Sequence, residues 1–289
     1  MAGLLFVESD MNSKQSKLRA GCRCLGGTGF TLLELLVVVA IIGVLAALLL
    51  PALSRAKSAA LATVCRGHLN QIGRAMAMYV ADAKRYPPLE ELEQLGTGRG
   101  VRVNTWADRL YPYAPLVWTN TSWHCPTYIA SGGLVFSKVV PPRPGIRGPA
   151  ISTSYAYNAE GMVWAKGWPK LGLGPWAWNT TSEQAIQAPS EMYMAGDARA
   201  FKSPGIGGET GLPEMLPWLG PGGFPGFRLG GESPPPHSNG YNLLFGDGHV
   251  AQVKRKDYLY PPRTARNWNR DNQPHPELWA PASAWAVTN

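Results

Sequence analysis

The chain has 289 residues and a formal net charge of +8, with 33 glycines, 26 prolines and 16% charged residues. So many glycines and prolines exclude a helical bundle and predict many turns and long connections. The positive charge forms no long basic run and is not interleaved with stacking aromatic residues. We therefore expect an acidic surface or partner rather than a nucleic acid.

An apolar run follows the stretch GFTLLE, which begins at Gly29 and ends at Glu34. Residues 35–50 include no charged residue, and Pro51 closes the run. About twenty helical residues span a bilayer core of about 30 Å at a rise of about 1.5 Å per residue. The sequence therefore predicts a membrane-spanning helix over residues 30–51. A lone carboxylate such as Glu34 is costly within a membrane, so it indicates a functional role and a partner.

Gly29, Phe30 and Glu34, in register with the apolar run and Pro51, resemble the N-terminal signal of type IV prepilins and type II secretion pseudopilins. The resemblance implies that residues 1–29 are a leader, which a membrane peptidase removes between Gly29 and Phe30 before it methylates the new amine of Phe30. It also implies that Glu34 pairs with the Phe30 amine of a neighbouring subunit, since buried charges cost less when paired. The alternative is a plain anchor or an ordinary signal peptide, which normally lacks an acid in its apolar region.

A helical pattern continues over residues 52–83, where apolar side chains recur at three or four residues. The sequence Tyr86-Pro87-Pro88 should end this helix, because a residue before proline is pushed out of the α region. We expect an α+β fold in which one long helix has its first half in the membrane and its second half packed on a small antiparallel sheet. His68 lies on the apolar stripe and should pack there rather than bind a ligand.

Residues 84–260 form the predicted exported domain, in which short patterned segments alternate with breakers, and residues 261–289 form a tail with Pro and Trp that should wrap the surface or stay mobile. Residues 203–236 should form a long loop. A group of tryptophans is expected to cap a small core, with a glycan-binding platform as the alternative. The members of this group are Trp164, Trp168, Trp176 and Trp178.

The predicted secondary structure elements of this domain are short helices over 89–95 and 105–113, strands over 152–158 and 191–196, and a strand end over 123–126.

Four cysteines occur in the chain. Cys22 and Cys24 lie in the predicted leader, and no second pair stands at zinc-site spacing, so we expect no metal there. Cys65 and Cys125 remain in the exported part, where an even count fits one disulfide. Whether these two residues meet cannot be read from the sequence.

A second landmark begins at His237 and ends near Val253. Two apolar runs joined by Gly246-Asp247-Gly248 predict a β-hairpin, since glycine and aspartate favour tight turns. His237 and Asp247-Gly248 resemble the H-x9-D-G segment near the C-terminus of prepilin-processed proteins of planctomycete and verrucomicrobial type.

Metal binding by this region is a further hypothesis. Asp197 and Asp247 are candidate calcium ligands, as in the major pseudopilins of type II secretion, and His237, Asp247 and His249 could bind zinc instead. A turn aspartate and a hydrogen-bonded histidine are the simpler interpretation, so apart from possible calcium we expect no cofactor.

The resemblance implies a structural subunit that leaves the inner membrane and polymerises into a type II secretion or type IV pilus-like filament. The implied partners are the prepilin peptidase and methyltransferase, other pilin-like subunits, an assembly ATPase with its inner-membrane platform, and membrane lipid. The chain should cross the membrane once, with its C-terminus periplasmic or extracellular.

Two alternatives remain open. A membrane-anchored binding module would use the Trp-rich loops and never polymerise. A metal-dependent hydrolase would need His237, His124 or His249 to converge with Asp197 or Asp247. The sequence has no G-x-S-x-G, H-E-x-x-H or P-loop motif, so we expect no enzyme.

Overall fold

A computed structural model describes residues 30–94, 101–114, 123–130, 154–161, 171–174, 179–203, 208–211, 235–237, 240–258 and 260–279. The chain divides into two compact units, Met1–Pro51 and Ala52–Asn289. The helices are α1 (Leu32–Ala83), α2 (Trp106–Leu110), α3 (Pro126–Ala130), α4 (Arg255–Tyr258) and α5 (Pro261–Trp268). The strands are β1 (Glu90–Gln94), β2 (Val101–Thr105), β3 (Tyr155–Tyr157), β4 (Tyr193–Asp197), β5 (Ala200–Ser203), β6 (Gly208–Gly211), β7 (Gly240–Phe245) and β8 (Val250–Lys254).

The predicted long helix is confirmed, because α1 begins at Leu32 and ends at Ala83, with Pro51 inside it. Within the first unit its large apolar side chains are all exposed, from 45% for Val38 to 80% for Leu32. An 18-residue window of α1 has a mean hydropathy of 3.0. Among the described residues, α1 is the one helix that is long and apolar enough to cross a membrane.

Within the second unit, α1 buries one stripe of side chains at helical spacing. Its members are Cys65, Leu69, Ile72, Gly73, Ala75, Met76 and Val80. A Cβ atom at Gly73 would lie 2.8 Å from a methyl carbon of Leu244 on β7, so a larger residue would require the Leu244 side chain to move. The predicted packing of the second half of the helix on the sheet is therefore confirmed.

That sheet is antiparallel and has four strands in the order β3-β4-β7-β8. Ala156 pairs with Gly196, Gly196 with Leu243, and Leu243 with Ala251. The predicted strands over 152–158 and 191–196 and the predicted hairpin correspond to β3, β4 and the β7–β8 pair. The predicted α+β fold is thus confirmed, and α2 likewise confirms the predicted helix over 105–113.

The face of the sheet opposite the one that packs on α1, which we call the second face, carries an aromatic core. This core includes Tyr193, Tyr241, Tyr258 and Trp268. Trp268 ends α5 and is completely buried. The backbone carbonyl of Trp268 also accepts a hydrogen bond of 2.9 Å from Nδ2 of Asn158, next to β3. The prediction that everything after Tyr260 wraps the surface or stays mobile is therefore wrong for residues 261–268, because this short helix completes a core. Residues 280–289 lie outside the described residues.

Three further sequence predictions are wrong. Residues 90–94 form strand β1 rather than a helix, because they pair with β2 over the full length of both strands. Residues 123–126 do not end a strand: Pro126 begins α3, a position where its fixed φ and missing N–H are favourable. The predicted loop over residues 203–236 is also wrong for Gly208–Gly211, which form strand β6 because they pair with β5. Residues 204–207 and 212–234 lie outside the described residues, as does the group of four tryptophans.

Candidate functional site

The start of α1 is closed by a reciprocal pair of side chains, Thr31 and Glu34. Oε2 of Glu34 accepts hydrogen bonds from the backbone N–H and the hydroxyl of Thr31, both at 2.8 Å. The Thr31 hydroxyl oxygen accepts one of 3.2 Å from the Glu34 N–H. This is a capping box, and its signature of Ser or Thr followed three residues later by Glu stands in the sequence, although our sequence analysis missed it. Glu34 therefore already has a partner within its own chain.

The cap leaves Glu34 able to bind a second donor. An ionised carboxylate has about four acceptor positions, and the two bonds from Thr31 both go to one oxygen. Thr31 directly follows Phe30, so the carboxylate lies beside the backbone where the amine of Phe30 would be freed by cleavage.

A second group of functional side chains lies in the core of the other unit. Cys65 on α1 and Cys125, just before α3, are completely buried. Their Sγ atoms lie 2.7 Å apart, and both residues are thiols in this structure. The fold therefore brings together the two cysteines for which the sequence predicts a disulfide, and the bond itself stays a prediction.

His237 lies against the same two sulfur atoms. Its Nε2 is 3.3 Å from Sγ of Cys125 and 3.5 Å from Oδ2 of Asp197. The His237 carbonyl is held by the Gly240 N–H at 2.8 Å and by Nε2 of Gln252 at 2.7 Å, which fixes the residue to the β7–β8 pair. The sequence motif singled out His237 without indicating any of these neighbours.

Asp197 ends β4 and is almost fully buried. Its Oδ2 accepts a hydrogen bond of 2.6 Å from the N–H of Asn242, while Oδ1 has no hydrogen-bond partner among the described residues. Burial raises the pKa of this carboxyl to about 6, although His237 and the Asn242 bond act in the opposite direction.

The charges of the cluster depend on one another. Burial raises the pKa of the Cys125 thiol, and the neighbouring Cys65 thiol adds to that effect. For His237, burial lowers the pKa, but the Cys125 and Asp197 neighbours outweigh it, so the pKa lies above its usual value. The site thus combines two soft sulfur donors, an imidazole and a carboxylate in a setting closed to water.

The other candidate metal ligands do not join this cluster. Asp247 lies in the exposed β7–β8 turn, where its Oδ1 accepts hydrogen bonds from the backbone N–H of His249 at 3.1 Å and interacts with His249 Nδ1 at 2.6 Å. Asp197 contacts Asn242 on β7. Asp247 lies two residues beyond Phe245, the last residue of β7, and Phe245 is about 10 Å further along the strand than Asn242 at about 3.3 Å per residue. The structure therefore does not bring Asp197 and Asp247 together around one calcium ion. Of the three candidate zinc ligands, Asp247 and His249 are in contact, whereas His237 lies with the two buried cysteines.

The hairpin turn explains Gly248 without any ligand. Gly248 has a φ of +91°, in the left-handed region that glycine adopts without a steric penalty. The Asp247–His249 contact satisfies the turn aspartate, as the simpler interpretation predicted. Burial opposes ionisation of Asp247, but the hydrogen bonds from His249 outweigh it and lower the Asp247 pKa.

The remaining histidines have structural partners. His68 lies 3.0 Å, through Nδ1, from the Tyr155 hydroxyl and packs against Trp123, which confirms its predicted packing role. Nδ1 of His124 lies 3.2 Å from the Ser154 hydroxyl, which also accepts the Cys125 N–H at 2.8 Å. The hydrolase alternative required a histidine to lie close to Asp197 or Asp247 in a buried site. Among the described residues, His237 and Asp197 form such a pair, 3.5 Å apart.

Comparison with known proteins bears on the N-terminal site. Residues 28–50 match the family model described as "Prokaryotic N-terminal methylation motif". The chain has a prepilin-type N-terminus. The residues that begin this N-terminus, up to Gly29, lie outside the described part of the structure, whereas Phe30, Glu34 and the apolar part of α1 lie within it.

Two relatives extend the similarity beyond the prepilin-type N-terminus. The chain is 41% identical over 64 residues to "Type II secretion system core protein G" of Pseudomonas aeruginosa, which is 22% of this chain and 45% of that protein. It is 47% identical over 58 residues to "Type IV wide pilus major component PilA4" of Thermus thermophilus, which is 20% of this chain and 44% of that protein. The chain thus spans less than half the length of either relative. No solved structure is significantly similar to it.

These findings support a pilin-like subunit. Both relatives belong to secretion or pilus systems by name, and the motif is one of prepilin methylation. The long apolar N-terminal helix fits a subunit anchored in the inner membrane.

Proposed function

We propose that this chain is the precursor of a pilin-like structural subunit, which is cleaved between Gly29 and Phe30, methylated on Phe30 and assembled into a type II secretion or type IV pilus-like filament. The role is structural rather than catalytic. A prepilin peptidase and methyltransferase, an assembly ATPase and its inner-membrane platform are the partners. Before assembly the chain crosses the inner membrane once, with its membrane-spanning helix in contact with lipid and its C-terminus on the periplasmic or extracellular side.

The observation that carries this proposal is the bare apolar surface of α1 in the first unit. Its leucines, valines and isoleucines are exposed on every face, which a water-soluble protein rarely tolerates over so large an area. Lipid covers this surface in the membrane, and neighbouring copies of the same helix cover it in a filament. Burial of apolar area contributes about 25 cal/mol per Å², so packing of these helices supplies most of the assembly energy.

Glu34 sets the register between neighbouring helices. Its cap to Thr31 holds the carboxylate at the first turn, and the free acceptor positions receive the methylated Phe30 amine of an adjacent subunit. A buried anion without a cation is disfavoured, so only the stagger that joins the two groups is stable. Pro51 is accommodated within α1 and reduces its hydrogen bonding at that turn, which permits a bend in the packed helix.

The processing step tests this proposal directly. Gly29→Leu should block removal of the leader and abolish filaments, because a bulky side chain occupies the cleavage position. Gly43→Ala is the matched control: it alters a glycine of α1 that has open space around its Cβ position, and it should be cleaved normally. Mass spectrometry of the N-terminal peptide reads both results. Release of Phe30 from the Gly29→Leu chain at the wild-type level would disprove the proposed cleavage.

A further inference from the structure

The buried side chains of Cys65, Cys125, His237 and Asp197 form a set of four donors from four separate segments. They lie on α1, before α3, before β7 and at the end of β4, and all belong to the second unit. The donor atoms of Cys65, Cys125 and His237 all lie within 4.8 Å of one another. We propose that these four residues bind one divalent transition metal ion of the zinc class.

Two pairs of donor atoms already lie at the separations of a tetrahedral site. Zinc binds sulfur at about 2.3 Å and nitrogen or oxygen at about 2.0–2.2 Å, so donor atoms around it lie about 3.3–3.8 Å apart. Cys125 Sγ and His237 Nε2 are 3.3 Å apart, and His237 Nε2 and Asp197 Oδ2 are 3.5 Å apart. The two sulfurs, at 2.7 Å, would separate by about 1 Å when the ion binds.

The donor chemistry selects the metal. Two thiolates and an imidazole favour zinc and similar ions over calcium and magnesium, which prefer oxygen alone. Asp197 supplies the fourth position. On binding, the two thiol protons leave to solvent, as does the second imidazole proton where His237 is charged, and the ion takes their place between the two sulfurs.

The ion also accounts for the burial of these groups. A buried carboxylate is costly unless it has compensating charge, and Oδ1 of Asp197 has no hydrogen-bond partner among the described residues. A dication bound to two thiolates and one carboxylate has a net charge of about −1. Each of these buried anions then lies beside a positive charge. Because Cys65 lies on α1 and Asp197 ends strand β4, the ion would tie α1 to the sheet and stabilise the domain.

A disulfide uses the same two sulfur atoms and therefore excludes the ion. The metal is favoured because the His237 imidazole lies within 4.8 Å of both sulfurs, and the Asp197 carboxylate lies 3.5 Å from Nε2 of that imidazole. A disulfide requires neither group, and its sulfurs are weak hydrogen-bond acceptors. The two states differ in measurable ways, since one holds metal with no S–S bond and the other holds an S–S bond with no metal.

The test uses the full chain, purified in detergent with its thiols reduced and titrated with Zn²⁺ or Co²⁺. We expect one equivalent of zinc per chain by elemental analysis. With Co²⁺ we expect thiolate charge-transfer bands and the visible bands of tetrahedral cobalt. His237→Gln and Cys65→Ser should weaken binding at least tenfold. His249→Gln is the matched control, since His249 lies in the exposed turn, and it should bind like the wild type.

A second measurement covers variants that fail to fold. Removal of the ion from the wild-type chain by a chelator should lower its melting temperature, and added Zn²⁺ should restore it. A folded, reduced wild-type chain that takes up neither metal would overturn the proposal. So would chain isolated from its native compartment that carries a Cys65–Cys125 disulfide peptide and no metal, and so would loss of binding in His249→Gln equal to that in His237→Gln.

Discussion

Trp268 offers the sharpest test of the fold, because it lies in a segment that the sequence alone places outside the core. Its side chain is completely buried, with ring centroids 5.5 Å from Tyr193 and 5.0 Å from Tyr258. Replacement of a buried Trp by Ala removes these contacts and leaves a cavity, which costs about 3–5 kcal/mol. We therefore expect Trp268→Ala to reduce the free energy of unfolding by that amount.

The same change can be expressed as a melting temperature. For a domain of about 150–250 residues, 1 kcal/mol corresponds to about 2–4 °C, so the expected drop is about 6–20 °C. Chemical and thermal unfolding of the full chain in detergent, followed by near-ultraviolet circular dichroism, would measure both quantities.

Two control variants separate packing from other effects. Trp268→Phe keeps most of the ring and removes an indole N–H that has no hydrogen-bond partner among the described residues, so it should cost much less than the alanine change. Tyr111→Ala alters a tyrosine that is 55% exposed and should change stability by no more than about 0.5 kcal/mol. A loss below about 1 kcal/mol for Trp268→Ala would show that α5 does not complete the core.

Two further predictions concern acidic residues. Glu34→Gln keeps an oxygen that can accept the Thr31 bonds but removes the charge, whereas Glu34→Ala removes both. We expect normal cleavage with few filaments for both variants. A wild-type yield of filaments from Glu34→Gln in sheared preparations would refute the charge pairing. Burial raises the pKa of Glu160 to about 7 in the folded chain. The protonated Glu160 side chain therefore contributes its full stabilisation at a pH below the pKa of glutamate in the unfolded chain. That stabilisation is lost as the pH rises towards and through 7. The free energy of unfolding in urea, measured from pH 4.5 to 7.5, should decline less steeply in Glu160→Gln than in Glu191→Gln, which alters an exposed acid. Equal slopes in the two variants would contradict the burial argument.

Elements with a strong local signal could be predicted from the sequence. The apolar run and its helical continuation predict α1, and the Gly-Asp-Gly turn between two apolar runs predicts the β7–β8 hairpin. The signals that decide these elements lie within a few residues of one another. The same is true of the Thr31–Glu34 capping box, so it could have been predicted as well.

Elements that depend on distant partners could not be predicted in this way. Strand β1 has the sequence EELEQ, in which glutamates have low strand propensity, and it is extended because β2 pairs with it. Trp268 is buried because α5 reaches the second face of the sheet, where Tyr193 and Tyr258 lie.

The cysteine cluster shows the same limit for a candidate site. Cys65, Cys125, Asp197 and His237 are each separated by at least 40 residues, and no local pattern relates them. The register of β4 against β7 and the packing of α1 on the sheet bring them together. The H-x9-D-G motif marked His237 and Asp247 as a pair, yet the structure assigns them to a buried cluster and an exposed turn.

The most direct test of the central claim is the mass of the N-terminal peptide from the chain as it occurs in the cell. We expect a mature chain that begins with N-methylated Phe30 and keeps Glu34 unmodified. A native chain that retains residues 1–29 throughout, in cells with an active prepilin peptidase, would rule out the pilin-like subunit and leave an anchored domain that does not polymerise.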